Sequence, residues 1–82
     1  MPRYYFHIDG SGPDEVGVQY ETLAKAKCAA VETAGQAICD DAELFWDKKD
    51  WGMTVTNGAG LSLFSLSFFA MEAPAVSDRK VG

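Results

Sequence analysis

The 82-residue sequence is short of basic residues, with seven Lys and Arg against twelve Asp and Glu and a formal net charge of −5. Nucleic-acid binding relies on clustered Lys and Arg to displace counterions from phosphates. Here Arg3, Lys25, Lys27, Lys48 and Lys49 are scattered over different predicted elements, so nucleic acid is disfavoured as a partner. No run reaches the roughly 18 apolar residues of a membrane span, and no membrane partner is expected. Met1-Pro2-Arg3 leads straight into strand-like alternation without the apolar segment of a signal peptide. A cytoplasmic location is expected.

Cysteine and histidine are also scarce, with two of the former and one of the latter. Cys28 and Cys39 fall on one predicted helix, where 1.5 Å per residue places their Cα atoms ~16 Å apart. A disulfide needs them within ~7 Å, so both read as reduced thiols. Structural zinc takes four Cys or His ligands, and these three side chains do not converge. His7 alternates onto the sheet face opposite the helix, which separates it from both thiols and leaves no Cys–His pair. Its plainest reading is a surface histidine beside a tyrosine.

What is present is apolar bulk. Hydrophobic residues make up 48% of the chain and aromatics 12%, enough for one packed domain over residues 1–70. Residues 71–82 turn to Ala, Pro, Ser and charge and read as a flexible tail. In the first segment Tyr4, Phe6 and Ile8 alternate with Arg3, Tyr5 and His7, and Val16, Val18 and Tyr20 alternate after a Gly- and Asp-rich turn. This predicts a hairpin with Tyr4, Phe6, Ile8, Val16, Val18 and Tyr20 on one covered face.

The cover is a helix. Thr22 is a suitable N-cap, and Leu23, Ala26, Ala30, Ala34, Ala37 and Ile38 share one arc. Asp41 interrupts that arc, but Leu44 and Phe45 resume it, so one long helix is expected from Leu23 to about Phe45, followed by a connection over Asp47–Asp50. Gly35 within it marks a close approach or a weak point. A second hairpin follows, with Met53 and Val55 alternating before the Asn57-Gly58-Ala59-Gly60 turn. On the return strand, Phe64, Leu66 and Phe68 occupy one face. The expected fold is α+β: strand-strand-helix-strand-strand, a four-stranded antiparallel sheet with one long helix packed on one face. The strand order between the hairpins stays open.

Sites for chemistry fare poorly. The acidic stretch Asp40, Asp41, Glu43, Asp47, Asp50 fails the calcium-loop pattern in either register, because Trp46 or Trp51 falls where the loop has no room for it. Gly10-x-Gly12 and Gly58-x-Gly60 lack the further glycine and the helix start of a phosphate loop. Trp46 and Trp51 read as a pair closing one end of the core, or as anchors for a partner. The outer sheet face is the better candidate. It carries Tyr5, His7, Leu63 and Phe69 among the hydroxyls of Thr54, Thr56, Ser65 and Ser67, and the sheet edges beside it can pair with another chain.

The series Pro2-Arg3-Tyr4-Tyr5-Phe6-His7, Asp14-Glu15-x-Gly17-Val18, Phe45-Trp46-Asp47, Asp50-Trp51-x-Met53-x-Val55 and Leu63-Phe64-x-Leu66-x-Phe68 resembles a family of small bacterial proteins classified only as a domain of unknown function. The resemblance covers residues 1 to 74 and implies a compact stand-alone domain, with no cofactor, metal or catalytic residue carried over. Together these readings favour a non-catalytic protein-interaction or self-associating module. Its partner is expected to be a second copy in a homodimer, or an unidentified protein. The alternative is a nucleic-acid-binding or antitoxin-like regulator.

Overall fold

The computed structural model describes residues 1–75. The chain runs β1 (Arg3–Ile8), β2 (Val18–Gln19), α1 (Leu23–Asp40), α2 (Ala42–Lys48), β3 (Asp50–Thr56) and β4 (Ser62–Phe69). The strands form one four-stranded sheet in the order β2-β1-β3-β4, antiparallel throughout. The order that the sequence left open thus places β1 beside β3, with Phe6 opposite Val55 and Ile8 opposite Met53. The class is the expected α+β arrangement.

Period-two alternation decides what each strand face buries. Tyr4, Met53 and Val55 are buried with Ala26, Ala30 and Ala34 of α1, and Phe6, Ile8, Tyr20, Trp51, Phe64, Leu66 and Phe68 pack around them. The three alanines recur every four residues, so α1 lies close against large sheet side chains. Phe6 and Tyr20 stack with ring centroids 6.2 Å apart. Thr22 caps α1 by accepting a hydrogen bond from the Lys25 N–H.

Four expectations need correction. The single long helix is two, broken at Asp41, where φ −133° and ψ 54° leave the helical region. A continuous helix would turn the Asp41 carboxylate into the apolar arc, and burying an unpaired charge is costly. The break instead leaves Asp41 exposed, with its carbonyl accepting the Phe45 N–H. The connection placed over Asp47–Asp50 shrinks to Lys49, in the left-handed conformation with φ 64° and its N–H on the Phe45 carbonyl. This is a helix stop of the αL kind.

The other two corrections concern the first hairpin and the helix start. Val16 lies outside β2 and is 75% exposed, and Val18 is also largely exposed. Alternation fails there because Asp14 takes up the N–H groups of Val16 and Gly17, while Gly17 turns with φ 69°. Leu23, placed in the buried stripe, is exposed at the first turn of α1. Of the flexible tail expected over 71–82, residues 76–82 lie outside the described residues. Before them, Lys49 pairs with Glu72 at 3.2 Å and the Ala70 N–H donates to the Lys49 carbonyl.

Candidate interaction surface

Both helices sit on one side of the sheet, so among the described residues the other side carries no helix and is met only by the Asp9–Gly17 loop, which reaches Tyr5 and His7. Register places Tyr5 beside Thr56 and Ser62, then His7 beside Thr54 and Ser65, then Gly52 beside Ser67, and finally Asp50 beside Phe69. Hydroxyls dominate this face, and Thr54 and Ser65 approach to 3.5 Å. Tyr5 and His7 are half-buried, whereas Leu63 is exposed and Phe69 is 81% exposed. Leu63 is also the extra residue of a β-bulge, because Val55 faces Phe64 while Thr56 faces Ser62. The four predicted residues therefore fall into two places: Tyr5 and His7 at the centre of the sheet, Leu63 and Phe69 on its edge strand.

His7 is more constrained than a surface histidine. Its Nδ1 accepts the Asp14 backbone N–H at 3.0 Å, and its Nε2 lies 2.9 Å from Thr56 Oγ1. An Nδ1 that accepts leaves the neutral ring its proton on Nε2, which then donates to Thr56. A His–Thr contact resembles a base beside a nucleophile, but here the proton sits on the wrong nitrogen to activate the hydroxyl. The ring instead holds the Asp9–Gly17 loop to β3.

Asp14 organises the same loop, and the sequence reading did not single it out as a structural residue. Its Oδ2 accepts the Phe6 N–H and its Oδ1 accepts those of Val16 and Gly17. Burial pushes the carboxyl pKa up, but the Gly17, Val16 and Phe6 N–H donors, helped by His7, outweigh it and hold the pKa below the usual value of 3.8. The sequence signal available was an Asp two residues before a Val-Gly pair at a turn. Arg3 closes the other side by donating to the carbonyls of Val16 and Gly17.

On the helix side, the end of the molecule holds an open groove of about 640 Å³ lined by Ile38, Phe45, Trp51 and Phe68 together with Asp9, Asp41 and Asp50. The two tryptophans do not act as a pair. Trp51 is half-buried against Phe68 in a T-shaped contact, whereas Trp46 is exposed on α2 beside Phe45. Cys28 and Cys39 are both free and exposed. Among the described residues no three His, Cys, Asp or Glu side chains gather as a metal site, and no helix is long and apolar enough to cross a membrane.

No curated protein and no solved structure matches this chain. A family model does, over residues 3–70, which takes in every strand and both helices. The chain belongs to the family described as domain of unknown function (DUF6894).

Proposed function

We propose that this chain is a non-catalytic interaction module that associates with a second copy of itself through its helix-free sheet face or the strand edge that adjoins it. The observation that carries this reading is the composition of that face. A surface over β1, β3 and β4 presents hydroxyls and exposed apolar side chains, with Arg3 and Asp50 at its margins and the Asp9 carboxylate against Gly52 within it. In a chain of net charge −5, a sparsely charged surface is where two copies meet with least repulsion. His7 is taken up in holding a loop, which supports a binding role over a catalytic one.

The nucleic-acid alternative ranks lower on the state of four of the five basic side chains among the described residues. Arg3 is bonded to carbonyls, Lys25 to Glu21 and Lys49 to Glu72, and Lys27 lies over the Phe64 ring. Phosphate contacts need free cations gathered on one face. Light scattering over a range of protein concentrations tests the proposal. A dimer mass that falls to the monomer on dilution is expected. A monomer at every concentration would overturn it.

A further inference from the structure

We infer that β4 is the dimerisation element, pairing antiparallel with β4 of a second copy about a two-fold axis at Leu66, which rests on the self-association reading above. The strand order leaves β4 at one edge of the sheet and β2 at the other. The two edges are unequal. β2 has two residues, while β4 has eight and carries neither charge nor proline. Edge strands are usually blunted by shortness, charge, proline or a bulge; beyond the bulge at Leu63, β4 has none of these, and such an edge is a template for another strand.

The backbone direction is fixed by the neighbouring strand. The Ala70 N–H points back to the Lys49 carbonyl, and alternation then turns Phe64, Leu66 and Phe68 towards β3. Ser65, Ser67 and Phe69 accordingly aim their N–H and C=O groups at the open edge. The side-chain order singles out the partner. Reading outwards from Leu66, Ser65 matches Ser67, Phe64 matches Phe68 and Leu63 matches Phe69. The segment is close to a palindrome.

An antiparallel pair centred on Leu66 would therefore set Leu66 against Leu66, Ser65 against Ser67 and Phe64 against Phe68 of the second copy, with Leu63 and Phe69 meeting at each end. Like meets like over Phe64–Phe68, as an isologous interface requires, with the bulged Leu63 beyond the regular ladder. Phe64, Leu66 and Phe68 are each only half-buried, since α1 packs chiefly over β3. Joining two such rows covers them. With strands about 4.8 Å apart, helices over the two β3 strands would lie ~14 Å apart, clear of one another at a helix diameter of about 10–12 Å. The joined sheet would then end on both sides at the short β2, so the contact closes as a dimer.

Four variants and light scattering test this inference. Ser67→Pro removes an N–H that β3 does not use, a placement edge strands tolerate, and it should convert dimer to monomer with an unchanged circular dichroism spectrum. Ser65→Lys, at an exposed position, should do the same if the proline disturbs folding. Leu66→Cys, with Cys28→Ser and Cys39→Ser, should give a disulfide-linked dimer on mild oxidation, since opposed residues at a non-hydrogen-bonded site lie about 4.5 Å apart. A dimer that survives Ser67→Pro and Ser65→Lys but is lost in Tyr5→Glu would overturn edge pairing and leave face-to-face self-association standing. A wild-type monomer at every concentration would overturn both.

Discussion

At Gly17 the backbone has φ 69°, and an added Cβ would come within 2.8 Å of Tyr5 Cε2 and 2.9 Å of the Tyr4 carbonyl oxygen. Gly17→Ala therefore adds left-handed strain of about 1–3 kcal/mol to an overlap that backbone cannot relieve. The urea midpoint should fall accordingly, and an unchanged midpoint would contradict the tight turn. Asp14 gives a pH signature at the same loop. Its folded pKa lies below 3.8, so its contribution to stability is complete above that value and is lost as pH falls through the lower folded value. Asp14→Asn removes an acceptor and the charge, so the stability gap from wild type should be wide near neutral pH and shrink on acidification below about 3.8. Denaturation series at several pH values check this, and a constant gap would refute it.

Among the elements, α1 contains the simplest available gain. Gly35 is exposed, and an added Cβ there would meet nothing within 4 Å, so of the two sequence readings it is the weak point and not a close approach. Gly35→Ala should stabilise the protein by roughly 0.5–1 kcal/mol through the unfolded chain, seen as a rise of a few degrees in Tm. The elements also show where the sequence could be read and where it could not. Alternation in β3 and β4, the alanine stripe and the Asn57 turn were legible because each depends on local periodicity. Asn57 does close that turn, its Oδ1 accepting the Ala59 and Leu61 N–H groups. The shortness of β2 was hidden because Asp14 and Gly17 override an alternating pattern with side-chain hydrogen bonds and a positive φ. The break at Asp41 was visible as a misplaced charge, yet Leu44 and Phe45 beyond it argued for continuity. Of the candidate surface, the faces of Tyr5 and His7 followed from register, whereas the bonding of His7 to Thr56 and to the Asp14 N–H depends on contacts far apart in the chain.

For the whole molecule, the decisive fact is that β1 and β3 are neighbours at the centre of the sheet. Neither hairpin contains that pairing, so local sequence patterns cannot specify it. The open edge at β4 follows from it, because a sheet whose two hairpins met through β4 instead of β3 would have buried that strand. The same arrangement sets a timetable. The turn at Asn57 joins strands that meet locally, while Ile8 meets Met53 only after the chain closes a loop through both helices. Loop closure costs entropy before contacts return it, so β3–β4 should form early in the transition state and β1 should dock late. Stopped-flow chevrons should then show Asn57→Ala slowing folding with little change in unfolding, and Phe6→Leu mainly accelerating unfolding. The reverse pattern would mean β1 docks first. On a ribosome, β1 is made before both of the strands it pairs with, and Phe6 and Ile8 must wait for their partners Val55 and Met53 until β3 has emerged.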